Sequence, residues 1–93
     1  MLIEFDPEKN ERNTRGRGPS FERVADFDFE TAIFDIDDRN EYGEVRRTAY
    51  GYLDGRLHFL CFVTIPGGIR VISFRKANPR EVKRHARTIT PDR

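Results

Sequence analysis

Arg75 and Lys76 end a stretch that begins Gly68-Ile69-Arg70-Val71-Ile72-Ser73-Phe74 and runs on into Ala77-Asn78-Pro79-Arg80-Glu81. Arg70, Arg75, Lys76 and Arg80 thus fall around one junction. Guanidinium groups grip phosphate through paired N–H donors, and lysine adds a compact positive charge. Ile69, Val71, Ile72 and Phe74 suit a pleated strand. Asn78, Pro79 and Glu81 have the chemistry of a helix start: a cap, a proline at the first position and a carboxylate three residues after the cap. A cationic strand end beside a helix N-terminus is a place to hold phosphate. Adjacent strand residues point to opposite faces, so Arg75 and Lys76 share a site only if the strand ends or twists there, and Arg75 is the preferred clamp. Arg46 is a further clamp candidate. Glu44, two residues before it, shares its face if the strand begins there, and either orients the guanidinium or acts as a weak base. His85, on the helix after the clamp strand, is the histidine suited to proton exchange, since an unperturbed imidazole changes charge near neutrality. His58 alternates with Leu57 and Phe59 and reads as a strand residue.

These residues need elements to hold them. Leu2 to Phe5 reads as a short strand. Asp6 and Pro7 open a helix over residues 8–15 that is polar almost all round, hence a surface cover. Gly16-Arg17-Gly18-Pro19 breaks it, and Ser20 caps a second short helix carrying Phe21, Val24 and Ala25 inward. A strand follows over residues 31–36, then a polar loop over 37–41. Arg46 to Leu53 and Arg56 to Ile65 pair as a hairpin about Asp54-Gly55. Pro66-Gly67-Gly68 turns into Ile69 to Lys76. The strand from Leu57 to Ile65 is apolar on both faces, which marks it as central. A helix over residues 79–87 closes the fold, and residues 88–93 are expected as a loose tail. The expected architecture is α+β in a single domain. An antiparallel sheet of four to five strands carries two N-terminal helices and one C-terminal helix.

Composition narrows the function classes. The chain has 93 residues, 35% of them charged, yet its formal charge is only +1. Total charge therefore argues neither for nor against a polyanionic partner. Fourteen arginines against three lysines favour bidentate phosphate contact, and a GC-rich genome would give the same bias. Cys61 lies inside an apolar run and reads as a small core residue without an internal disulfide partner. Two histidines and one cysteine at unrelated spacings make no zinc site, and Gly67-Gly68 reads as a turn rather than a phosphate loop. No metal or cofactor is expected. No apolar run spans a membrane and no signal peptide is visible, so the expected compartment is the cytoplasm.

Several segments, in order, resemble the BrnT-type toxins, small ribonucleases of type II toxin–antitoxin pairs. They are Ile3-Glu4-Phe5-Asp6-Pro7-Glu8-Lys9-Asn10, Ser20-Phe21-Glu22-Arg23-Val24-Ala25, Asp38-Arg39-Asn40-Glu41-Tyr42-Gly43-Glu44-Val45-Arg46 and Ile69-Arg70-Val71-Ile72-Ser73-Phe74-Arg75-Lys76-Ala77. Gly16, Arg17 and Gly18 stand where the family usually has Lys-His-Gly. Phe74 stands where it has a small Ala, and His85 where it tends to have a Tyr.

The resemblance implies a RelE-like fold and a metal-independent endoribonuclease that inhibits translation. Its partners would be messenger RNA and a BrnA-type ribbon-helix-helix antitoxin, with DNA reached only through the antitoxin complex. Metal-free RNA cleavage needs a group to take the 2′-hydroxyl proton, cations for the charge building on phosphate, and an acid for the leaving 5′-oxygen. Arg46, Arg75, Lys76, Glu44 and His85 are the candidate catalytic set. Arg15, Arg17, Arg70 and Arg80 are the further RNA-binding cations. Arg17 holds phosphate but exchanges no proton at physiological pH. Tyr42, Tyr50 and Tyr52 are candidates to stack on bases. The alternative is a catalytically weakened protein that acts as an antitoxin-binding co-repressor or an RNA-binding module.

Overall fold

The computed structural model describes residues 1–38 and 43–89. Five strands form one sheet: β1 (Leu2–Phe5), β2 (Ile33–Asp37), β3 (Arg46–Leu53), β4 (Arg56–Ile65) and β5 (Gly68–Lys76). Their spatial order is β1-β5-β4-β3-β2, with apolar β4 at the centre as its two-faced pattern requires. Two α-helices flank the sheet, α1 (Pro7–Arg15) and α2 (Pro79–Ile89), with a 3-10 helix over Phe21–Asp26. The α+β class holds, and α2 runs to Ile89, so Thr88 belongs to the helix and not to a tail. Residues 90–93 and Tyr42 lie outside the described residues.

The sheet is mixed, not antiparallel throughout. β1 runs parallel to β5, with Ile3 opposite Ile69 and Phe5 opposite Val71. Alternating hydrophobicity reports which side of a strand is buried but not the direction of its neighbour. A parallel pair needs a long crossover, which α1 and the 3-10 helix begin. Gly68 makes the close approach possible: a Cβ there would lie 1.8 Å from the backbone oxygen of Leu2.

The turns obey local chemistry. Asp54 and Gly55 both have positive φ, 52° and 75°, as a type I′ hairpin demands. Pro66 precedes Gly67 at φ 81°, the order that a type II turn prefers. The helix starts are capped as expected, Asp6 accepting from the Glu8 amide at 2.9 Å and Ser20 from the Glu22 amide at 3.3 Å.

One face of the sheet builds the core. Phe21, Val24 and Phe27 from the 3-10 segment pack on Ala49, Leu53, Leu60, Phe62, Ile69, Val71 and Phe74. Phe74 is completely buried, edge-on to Phe27 at 5.9 Å. Its large ring therefore fills the centre of the core. His58 is buried beside it, its Nδ1 2.8 Å from the Arg56 carbonyl oxygen, which fits the strand role expected of it. The second helix is the 3-10 helix on this face, whereas α2 lies across the opposite face through contacts with Tyr50 and Tyr52.

Candidate active site

A single bulge decides what the end of β5 presents. Phe62 pairs with Val71, but the preceding residue Cys61 pairs with Ser73, so Ile72 is an extra residue on β5. Strict alternation from Ile69 and Val71 would send Ser73 and Arg75 into the core. The bulge reverses the parity, so that Phe74 enters the core and Arg75 emerges on the α2 face. Lys76 then turns back to the core-side face. The two adjacent cations do point to opposite sides, as the alternation rule expects.

On the α2 face, Ile33, Tyr50, Phe59 and Arg75 are register partners in one row across four strands. The Arg75 guanidinium stacks 4.5 Å above the Phe59 ring, and Phe59 lies 5.2 Å from Tyr50. Glu81 of α2 completes the row. Arg75 donates to both its oxygens, Nη1 to Oε1 at 2.8 Å and Nη2 to Oε2 at 3.1 Å. The Tyr50 hydroxyl donates to Oε2 in a short hydrogen bond. Glu81 also belongs to the helix cap: the Asn78 amide donates to Oε1 at 2.9 Å, and the Glu81 amide donates to Asn78 Oδ1 at 2.8 Å. One carboxylate thus closes the helix start and fixes the clamp arginine.

The electrostatics follow from these bonds. Hydrogen bonds from Arg75 outweigh the cost of burial and, with those from Tyr50 and the Asn78 amide, lower the Glu81 pKa to about 2. Arg75 is raised by the same pair, and the Tyr50 phenol is raised by burial and then by Glu81. At neutral pH the row holds a carboxylate, a guanidinium and a neutral phenol. Glu81 is too acidic to accept a proton there, and its role is to position Arg75.

Between α2 and the β2–β3 edge lies a cleft of about 380 Å³ whose walls include Asp35, Thr48, Tyr50, Arg84, His85 and Thr88. Arg84 donates to the Tyr50 hydroxyl at 3.3 Å. His85 is only 7% exposed and meets Tyr52 edge-on at 5.8 Å. Its Nε2 is sealed from solvent and has no hydrogen-bond partner among the described residues. Tyr50 and Tyr52 therefore serve this wall through the Glu81 and His85 contacts.

On the other side of the β5 end, Arg12, Arg17, Arg75 and Lys76 line a depression of about 340 Å³ together with Asn13, Gly16 and Gly18. Among the described residues, no carboxylate lines it. The fold builds this place with Asn13, whose Nδ2 donates to the Pro19 carbonyl at 2.8 Å and to the Phe74 carbonyl at 2.9 Å. That side chain pins the end of α1 to the end of β5. Arg17 holds the left-handed conformation, φ 68°, that ends the helix. Asn10 adds a second clip, its Oδ1 accepting from the Phe21 amide at 2.8 Å.

The remaining candidates lie elsewhere. Glu44 holds Arg70 at 2.7 Å and stands 3.9 Å from Arg46, at the far end of the sheet. Arg46 lies four steps along β3 from Tyr50, so at strand rise the two ends are roughly 13 Å apart. Arg46 and Glu44 are thus not in one site with Arg75. Arg15 makes an exposed pair with Glu11 at 3.5 Å, and Arg80 is exposed on the first turn of α2. Among the described residues, no three His, Cys, Asp or Glu side chains converge to hold a metal, and no helix is long and apolar enough to cross a membrane.

Sequence reasoning passed over Arg12, Asn13 and the tie of Glu81 to Tyr50. Only Glu81 carried a local signal, as the carboxylate of a helix start. Residues 5–81 match the model of a family described as the ribonuclease toxin BrnT of type II toxin–antitoxin systems. No curated protein and no solved structure matches the chain significantly.

Proposed function

The chain belongs to the BrnT family of ribonuclease toxins from type II toxin–antitoxin systems, and we propose that it cleaves RNA at the end of β5. In this reading the cleavage is metal-independent, inhibits translation in the cytoplasm and is neutralised by a BrnA-type ribbon-helix-helix antitoxin. DNA is reached only through the complex with that antitoxin. The mixed sheet with helices on both faces is read as a RelE-like arrangement. The observation that carries the proposal is the meeting of Arg12, Arg17, Arg75 and Lys76 in one depression that no carboxylate lines among the described residues.

An RNA strand laid over the end of β5 sets a phosphate among these cations. The 2′-oxygen attacks the adjacent phosphorus, the bond to the 5′-oxygen breaks, and a 2′,3′-cyclic phosphate and a 5′-hydroxyl result. Arg75 and Lys76 stabilise the charge that develops on the non-bridging oxygens, and Arg17 and Arg12 hold the strand. Arg75 is pre-oriented by Glu81 and Phe59, so little reorganisation is needed as the charge grows. His85 lines the separate cleft on the α2 side, so the 2′-hydroxyl gives up its proton to water and the leaving 5′-oxygen takes one from water. Arg46 and Arg70, tied by Glu44 at the far end of the sheet, and exposed Arg15 and Arg80 extend the cationic track to neighbouring phosphates.

Expression of the chain alone is expected to arrest growth, and co-expression of a ribbon-helix-helix protein encoded beside it to restore growth. Normal growth at full expression without a partner contradicts the toxin reading.

A further inference from the structure

We propose that the cleft between α2 and the β2–β3 edge is a guanine-binding subsite, in which Asp35 and Arg84 read the two edges of the base. The cleft is separate from the phosphate-holding depression, which lies on the other side of the β5 end. Its charge is also different. Asp35 stands on the wall opposite α2, and its carboxylate disfavours a phosphate there. The same carboxylate favours N–H donors, and the donors a nucleotide carries are on its base.

The polar groups of the cleft select among bases. An ionised carboxylate accepts two parallel hydrogen bonds, and guanine presents two adjacent donors, N1–H and the N2 amino group. A guanidinium donates two parallel bonds, and guanine presents O6 and N7 as an acceptor pair on the neighbouring edge. Guanine satisfies both walls together, whereas adenine offers its single amino group and cytosine likewise. Arg84 spends one donor on the Tyr50 hydroxyl, and the guanidinium has others to give. Thr48 on β3 shares a face with its register partner Asp35, and its hydroxyl adjusts to donate or accept.

His85 lines the cleft, is only 7% exposed and meets Tyr52 edge-on, so packed rings form this part of the wall and the base enters between Asp35 and Arg84. The site rests on the reading of the chain as an RNA-cutting toxin only for its purpose, because base binding is measurable without cleavage.

The test titrates the purified chain with guanosine 3′-monophosphate and adenosine 3′-monophosphate, following the Asp35, Thr48 and His85 resonances by NMR. The guanosine nucleotide is expected to bind at least about tenfold more tightly, since one good bidentate base contact discriminates by about that factor or more. Asp35→Asn, a substitution at an exposed strand position, is expected to lose that preference while keeping the adenosine affinity. Arg84→Gln is expected to weaken guanosine binding without altering the thermal midpoint. Equal affinities for the two nucleotides, or a preference that survives Asp35→Asn, overturn the assignment. Cleavage mapping separates the two claims. RNA cut without regard to guanine refutes the subsite and leaves the ribonuclease standing. Selective guanosine binding by a chain that cuts no RNA refutes the ribonuclease and leaves the subsite.

Discussion

Arg75 and Glu81 are joined by two parallel hydrogen bonds, 2.8 and 3.1 Å long, between the last turn of the β5 ladder and the first turn of α2. The Arg75 side chain is 43% exposed while that of Glu81 is 9% exposed, so the pair is sheltered on the carboxylate side and open on the cation side. This asymmetry suits a clamp: the buried acid holds the guanidinium, and the guanidinium keeps a face for substrate.

Replacing that acid tests its structural weight. Glu81→Gln keeps the size and part of the helix cap but leaves Arg75 without its counter-charge and Tyr50 with a weaker acceptor. The expected loss is about 1–3 kcal/mol, the range for a buried charged hydrogen-bonding group, with the exposed Arg75 side recovering hydration. Urea unfolding of the two proteins at pH 7 measures it.

Acid should erase the same difference. The Glu81 pKa is lowered in the fold from 4.5 to about 2, so its contribution is complete above the unfolded value near 4.5 and declines as pH falls through about 2. The wild-type chain is therefore expected to lose its advantage over Glu81→Gln progressively between those limits. Unfolding midpoints at pH 7, 4 and 2.5 check the sign. An advantage that grows on acidification contradicts it.

The cationic depression makes a prediction about salt. Each phosphate contact removed from single-stranded RNA binding lowers the slope of log affinity against log salt by about 0.7. Arg12→Gln and Arg17→Gln are each expected to reduce the slope by about that amount and to weaken binding evenly across sequences. Fluorescence anisotropy with labelled oligonucleotides over a salt series measures both effects.

Gly68 offers a test of the fold. A side chain there would collide with the β1 backbone, where the Leu2 oxygen lies 1.8 Å from the position of a Cβ. Gly68→Ala is expected to detach β1 from β5, seen as lost hydrogen-exchange protection in Leu2–Phe5 with the β3–β4 hairpin still protected.

Local chemistry made part of this architecture legible from the residues. Asp54-Gly55 fixed the hairpin and with it the bounds of β3 and β4. Asn78, Pro79 and Glu81 located the start of α2. What stayed hidden depends on partners distant in the chain. Tyr50 meets Glu81 31 residues away, and Asn13 reaches the Phe74 carbonyl across 61 residues, with no spacing rule to announce either. The bulge at Ile72 has no glycine to mark it, yet it determines which way Arg75 points. Alternation set Arg75 and Lys76 on opposite faces of β5, and because the strand ends at Lys76 both still border one depression. It was silent on the fact that α1 would bring Arg12 and Arg17 to the Lys76 side, or that Arg46 would end at the far end of the sheet.

The most direct measurement is cleavage of a defined single-stranded RNA by the purified, partner-free chain in EDTA, beside Arg75→Ala. The expected result is cutting that persists in the chelator, leaves 2′,3′-cyclic phosphate ends, and falls at least about a hundredfold in Arg75→Ala, the usual scale for losing one electrostatic group. Cleavage abolished by EDTA, or undiminished in Arg75→Ala, contradicts the placement of a metal-independent active site at the end of β5.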